Sequence, residues 1–173
     1  ILHRIDKNTS GLLAVAKNDA AHLFLAEQIQ AHSFTREYRA VVYGVVKQDS
    51  GIWNVPLGRS RADRKKIAVN GENPREAVTN YEVLQRFPRF TYMKFLLETG
   101  RTHQIRVHSA YAGHPVAGDD VYGPKKCISE LQGQCLHAKK LGFIHPSTRE
   151  YMEFDSELPA YFQKFLLKAE KIT

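Results

Sequence analysis

A single carboxylate stands among cations near the start of the chain. In His3-Arg4-Ile5-Asp6-Lys7-Asn8-Thr9-Ser10-Gly11, Asp6 lies between Arg4 and Lys7 and is followed by small polar residues and a glycine. Flanking cations favour the anionic form of a carboxylate, and glycine lets backbone approach a ligand closely. An anion so placed can attack an electrophilic carbon or stabilise positive charge developing on it. The same residues also suit a plain turn, with Thr9 to Gly11 as its corner.

A second concentration of polar groups decides between these. Gly100-Arg101-Thr102-His103-Gln104-Ile105-Arg106-Val107-His108 follows a strand-like run and leads into a short helix, with Thr102 as its expected cap and Gly113 then Pro115 as its stop. A helix N-terminus attracts anions through unpaired N–H groups, and Arg101 and Arg106 add full charges. His103 and His108, five apart, face different sides of a helix and opposite faces of a strand, so no metal site is read here. The chain has no Gly-rich phosphate loop with its Lys, no nucleophilic Ser motif and no dinucleotide fingerprint, and no cofactor is expected.

The elements that must hold these groups follow from periodicity. Leu12 to Lys17 reads as a strand, Asn18-Asp19 as a cap, and Ala20 to Ala31 as a helix burying His22, Leu23, Leu25, Ala26 and Ile29, with His22 at the boundary. Thr35 to Gly44 reads as a strand with Tyr38 near its start. Glu76 to Arg86 and Phe90 to Thr99 read as an antiparallel pair, the second strand placing Thr91, Met93, Phe95 and Leu97 on one side. Leu136 to His145 and Tyr151 to Phe154 suggest another pair, and Pro159 opens a last helix with Tyr161, Phe162, Phe165 and Leu166 on its apolar face. Between them lies a basic arm, Arg59, Arg61, Arg64, Lys65 and Lys66, diluted by Asp63 and Glu72 and closed by the hairpin signal Asn70-Gly71.

This makes an α+β fold, with a mixed, mainly antiparallel sheet flanked by helices, over one domain spanning residues 1–173. With 173 residues, 43% hydrophobic, the chain can bury a core. Its net charge of +7 and pI near 9.4 favour a polyanionic partner, nucleic acid first. Cys127 and Cys135 have neither zinc-site spacing nor the number for a disulfide scaffold, and read as ordinary thiols. No run approaches the roughly 18 apolar residues of a membrane span, and a cytoplasmic location is expected. The chain opens at Ile1 and reads as N-terminally truncated. A carboxylate nucleophile, several arginines, a tyrosine at a strand start and a basic surface fit an enzyme that works on nucleic acid without a metal.

The two long motifs resemble the signatures of the RluA-type RNA pseudouridine synthases, His-Arg-Leu-Asp-x-x-Thr-Ser-Gly and Gly-Arg-Thr-His-Gln-Ile-Arg-Val-His. Arg36-Glu37-Tyr38, Gly118-Asp119-Asp120-Val121-Tyr122-Gly123, Leu136-His137-Ala138 and Phe143-Ile144-His145-Pro146 resemble its shorter elements, in family order. Ile5 stands where Leu is commoner. Gly123-Pro124-Lys125-Lys126 looks most like the RluD-like branch acting on large-subunit ribosomal RNA. The resemblance implies cofactor-free isomerisation of uridine to pseudouridine in structured RNA, ribosomal first and transfer RNA second, by a monomer. Asp6 then matches the essential aspartate, adding to the sugar or promoting loss of the base. Arg106 matches its basic partner, Tyr38 the tyrosine stacked on the base, and Arg4 the arginine that fills the space left by a flipped uridine. Thr9, Arg101, His103, Gln104 and the arm Arg59, Arg61, Arg64, Lys65, Lys66 are the expected RNA contacts. The rivals are a non-catalytic RNA-binding or ribosome-assembly module and a base-releasing glycosidase.

Overall fold

The computed structural model describes residues 1–126 and 128–173, so the thiol reading of Cys127 lies outside the described residues. In chain order the elements are β1 (Ser10–Gly11), α1 (Asp19–Gln30), β2 (Thr35–Tyr43), β3 (Ser50–Asn54), β4 (Leu57–Arg59), β5 (Ile67–Val69), β6 (Glu72–Arg75) and β7 (Val78–Arg86). There follow β8 (Phe90–Leu97), α2 (Gln104–Tyr111), a 3-10 turn (Ser129–Leu131), β9 (Leu136–Ile144), β10 (Tyr151–Asp155) and α3 (Ala160–Lys171). Seven strands form one sheet in the order β1-β9-β2-β8-β7-β3, with β10 also on β9. β1 runs parallel to β9, and the other pairings described are antiparallel. This is the mixed, mainly antiparallel α+β architecture expected from the sequence.

The sheet's apolar alternation builds the main core. Thr91, Met93 and Phe95 of β8 are fully buried, as are Ala40, Val41 and Val42 of β2. α3 closes over it with Phe162, Phe165 and Ala169, Phe165 meeting Phe90 edge to face. α1 packs elsewhere, where Leu25, Phe34 and Leu141 form a second cluster. A separate three-stranded sheet, β5-β4-β6, rests on α2 through Leu57, Ala77 and Val107.

Several local expectations are corrected. Leu12 to Lys17 forms no strand beyond β1: Leu12 N–H still donates to Ala138 O at 3.0 Å, but the same edge of β9 is taken from Lys140 onward by β10. In α1, His22 and Leu23 are exposed, Leu23 by 64%, while Leu25 and Gln28 are buried. The helix is turned by Gln28, whose amide donates to Ile144 O at 2.9 Å and accepts from Ile144 N–H at 2.8 Å, so a polar residue takes the inner stripe. Asn70-Gly71 does make a turn, yet the strands it joins, β5 and β6, lie on either side of β4 and do not pair with each other. The Asn18 cap is as expected, its side chain accepting from Ala21 N–H at 2.8 Å.

Gly11 fixes the start of the sheet relative to the Asp6 loop. Its φ is 111°, and a Cβ there would overlap the backbone of Ala138 on β9. Gly11→Ala is expected to cost at least about 1–2 kcal/mol from the backbone conformation alone, with the overlap adding to it. Chemical denaturation should register the loss; a variant as stable as the parent would show that β1 does not anchor the loop.

Candidate active site

A cavity of about 400 Å³ opens between the first loop, β2 and the start of α2. Arg4, Asp6, Arg36, Tyr38, Arg101 and His103 line it, so residues from three distant segments converge. The loop carrying Asp6 is tied from several directions. Thr9 N–H donates to Asp6 O at 3.0 Å, and Gln134 Nε2 donates to Lys7 O at 2.6 Å and to Thr9 Oγ1 at 3.0 Å. Ser10 Oγ lies 2.8 Å from His137 Nδ1 and accepts from the Tyr161 hydroxyl at 3.1 Å, which links the loop to β9 and α3. Tyr38 sits on β2 opposite Phe95 and Ala138, where the register with β9 shifts between Glu37 and Tyr38; such an irregularity re-aims a side chain.

Arg106 enters from α2. Its Nε and Nη2 donate to the two oxygens of Asp119 at 2.7 and 3.0 Å, and its Nη1 reaches Asp6 Oδ2 at 3.4 Å. Asp119 is 1% exposed, and its Oδ1 also accepts from the N–H groups of Val121 and Tyr122. Burial opposes the charge on Arg106, yet the hydrogen bonds and charge of Asp119, then the charge of Asp6, raise its pKa. Burial likewise opposes ionisation of Asp119, and Arg106 with the two N–H donors holds its carboxyl below the ordinary value. The Arg106 guanidinium lies 5.1 Å from the centre of the Tyr122 ring, a cation–π contact. Burial pushes the Tyr38 hydroxyl up to about 12, with Arg36 pulling down and Asp6 pushing up, so Tyr38 is a neutral phenol at physiological pH.

α2 begins differently from expectation. Thr102 does not cap it; His103 is the N-cap residue, with φ 55° and no side-chain cap bond. His103 Nδ1 lies 2.7 Å from the Tyr122 hydroxyl, and burial lowers its pKa. A non-glycine residue in this region is uncommon, and such strain gathers at functional sites. His108 faces away, toward Thr79 Oγ1 and Val55 O, so the two histidines share no ligand.

The expected RNA contacts divide. Arg4 is exposed at the cavity and makes no hydrogen bond or ion pair among the described residues. Arg101 lines the cavity while its Nε donates to Glu76 O at 2.7 Å. Thr9 borders the cavity, but its hydroxyl is engaged by Gln134. Gln104 also borders the cavity, but it is 3% exposed and its amide is engaged within the protein, accepting from Thr99 Oγ1 and Arg101 N–H and donating to Val78 O and Thr79 Oγ1. Arg59, Arg61, Arg64, Lys65 and Lys66 are exposed at the β4–β5 end of the small sheet, and none lines the cavity. Asp63 shapes that tip, accepting from Lys65 N–H at 3.0 Å. Asp119, Gln134 and Tyr122 carry no role in the sequence reading; only the Gly118–Gly123 motif points to Asp119 and Tyr122, and nothing local points to Gln134.

A family model described as RNA pseudouridylate synthase matches residues 1–111. The Bacillus subtilis protein named uncharacterized RNA pseudouridine synthase YlyB is 53% identical over 159 residues, 92% of this chain and 52% of that one. A Zymomonas mobilis protein named ribosomal large subunit pseudouridine synthase D is 43% identical over 171 residues, 94% of this chain and 54% of that one. The chain thus spans about half the length of the curated relatives it matches. The solved structure of human RNA pseudouridylate synthase domain containing 1 superposes with a TM-score of 0.78 at 27% identity, covering 99% of this chain and 80% of that one.

Asp119→Ala would strand the Arg106 guanidinium beside one distant carboxylate, and breaking a buried pair in this way is expected to cost about 3–5 kcal/mol in a denaturation experiment. Acid should act through the histidines. Burial, then Arg36, lowers His3 to about 4, and its Nε2 accepts from Ala14 N–H at 3.1 Å, which only the neutral ring can do. The unfolded chain binds this proton near its ordinary value of 6.5, so the contribution is complete above 6.5 and lost as pH falls toward about 4. His3→Gln should flatten the fall of melting temperature across that window; an unchanged profile would clear His3 of the effect.

Proposed function

Since the chain belongs to the RNA pseudouridylate synthase family, we propose that the protein isomerises uridine in structured RNA to pseudouridine without a cofactor. The observation that carries this is Asp6, at 14% side-chain exposure, held 3.4 Å from an arginine that a second carboxylate already clamps, in a cavity shared with Tyr38. Asp6 Oδ1 makes no hydrogen bond among the described residues, leaving one carboxylate oxygen for the sugar. The bond from the anomeric carbon to N1 breaks, the uracil turns, and a bond to C5 forms. N1 gains a proton and C5 loses one, so mass is unchanged. Asp6 acts either by adding to the anomeric carbon or by assisting loss of the base. Tyr38 stacks on the uracil and takes part in the late proton transfer from C5.

A uridine inside a stack must first be extruded, at a cost of a few kcal/mol. Arg4, exposed at the cavity and unpaired among the described residues, is suited to filling the space, because its planar group can stack where a base was. The ribosomal name of the Zymomonas mobilis relative supports large-subunit ribosomal RNA as the substrate. A cytoplasmic monomer fits that substrate; among the described residues no helix is long and apolar enough to cross a membrane. The exposed arm supplies phosphate contacts outside the cavity.

Asp6→Asn and Asp6→Ala should abolish pseudouridine formation and leave RNA affinity near that of the parent, as read by nucleoside analysis and a binding titration. Turnover in either variant removes the assignment. Arg106→Ala should lose activity as well. Comparing pseudouridines in ribosomal RNA from cells with and without the protein tests the substrate class, and a loss confined to transfer RNA would reject it while keeping the chemistry. Reversing the charges of Arg64, Lys65 and Lys66 should weaken binding and lower the salt slope by about 0.7–0.9 for each phosphate that the arm no longer neutralises. An unchanged slope would make the arm only a solvated surface.

A further inference from the structure

One wall of the cavity holds buried donors that the protein leaves without acceptors. Arg36 is 5% exposed, yet among the described residues it has no carboxylate within ion-pair distance. Its one hydrogen bond, from Nη2 to Glu98 O, is long at 3.5 Å, and its buried Nε has no partner. His3 is alike: Nε2 accepts from Ala14, which places the ring proton on Nδ1, and that buried Nδ1 also has no partner. Both side chains line the cavity with Arg101, close enough for Arg36 to depress His3 and for Arg101 to depress Arg36 by charge repulsion. The carboxylate nearest in function, Asp6, is already engaged by Arg106. The backbone makes room for this arrangement at Gly100, where a Cβ would overlap Arg36 Nη1.

A buried guanidinium normally appears with a carboxylate, because an unpaired buried charge costs several kcal/mol. Here the missing anion must come from outside, and the cavity that also contains Asp6 is where it would enter. We propose that Arg36, with Arg101 and the His3 Nδ1–H, forms a receptor for a backbone phosphodiester adjoining the target uridine. The proposal rests on the RNA-modifying reading of Asp6 but assigns a separate group to a separate part of the substrate. A guanidinium fork suits the tetrahedral oxygens of a phosphodiester, and a neutral imidazole adds a donor without further like charge. Tyr38 lines the same cavity within electrostatic reach of both Arg36 and Asp6, so a phosphate held at Arg36 would set the register of the nucleotide whose base meets Tyr38.

The test uses a hairpin RNA carrying the uridine that the protein modifies, with single neutral methylphosphonate linkages placed in turn on either side of it. In the parent protein one linkage should weaken binding about tenfold, the expected loss for a charge-assisted contact. Arg36→Gln should bind the unmodified hairpin about tenfold less tightly, show a salt slope smaller by about 0.7, and be indifferent to that linkage. Arg36→Lys should keep the slope and recover only part of the affinity, and serves if the glutamine variant does not fold. The proposal is overturned if every neutral linkage binds the parent as tightly as the native one, or if the penalty persists in Arg36→Gln. It is also overturned if that variant loses stability with an unchanged salt slope, which would make Arg36 a packing residue. Pseudouridine formation is measured in the same hairpins: turnover with all linkages tolerated removes the receptor and keeps the isomerase, whereas tight binding without pseudouridine removes the isomerase reading itself.

Discussion

The Arg106 guanidinium is the interaction on which the site depends. It is buried, carries a permanent charge, and reaches two carboxylates on loops far apart in sequence. At about 4 Å and an effective dielectric near 20, one such pair is worth roughly 4 kcal/mol before desolvation. Removing the charges from water cancels much of this, so the hydrogen-bond geometry decides the balance. Asp119 meets that demand with two short bonds to the guanidinium and two backbone N–H donors of its own. Arg106 is therefore satisfied without Asp6, and its third nitrogen holds Asp6 by one longer contact to Oδ2 alone.

Asp6 can be held so lightly because its loop is held elsewhere. Gln134, 1% exposed, grips the loop at Lys7 O and Thr9 Oγ1, and His137 and Tyr161 meet Ser10. These partners come from the segment before β9, from β9 itself and from α3, so packing of the C-terminal third sets the position of a residue near the N-terminus. β1 contributes little hydrogen bonding, being two residues long, but its parallel register on His137 and Ala138 fixes where the loop ends.

Of the candidate site residues, Asp6 was legible from its own surroundings, an aspartate among cations, whereas Arg106 and Tyr38 stood out only through the motifs shared with the family, since a tyrosine in a strand is ordinary core. β8 was readable from its alternation, β7 from its β-rich composition, β9 from the turn residues that follow it, and α3 from its spacing. What escaped the sequence depended on partners distant along the chain. Gln28 took an inner position because the end of β9 offers it an N–H and a C=O together. Leu12 to Lys17 alternates like a strand, with Leu13 and Val15 exposed, but β10 occupies the edge it would need. Gln104 looked like an RNA contact from its motif, and only the fold places Val78, Thr79 and Thr99 around its amide.

The two walls of the cavity differ in how far their polar groups are satisfied. Around Arg106 nearly every donor and acceptor has a partner, and Tyr122 extends that order outward: its hydroxyl accepts from Ile67 N–H at the root of the basic arm and touches His103, while its ring contacts Arg106. Around Arg36 and His3 the buried donors are left open. A protein gains nothing in stability from buried donors without acceptors, so their persistence beside a saturated wall is informative. On the proposed function the saturated wall holds Asp6 in place before substrate arrives, as a group that must be aimed at one carbon requires. On the proposed function the unsaturated wall is completed by the RNA, so one side of the cavity would orient the Asp6 carboxylate and the other would capture the strand.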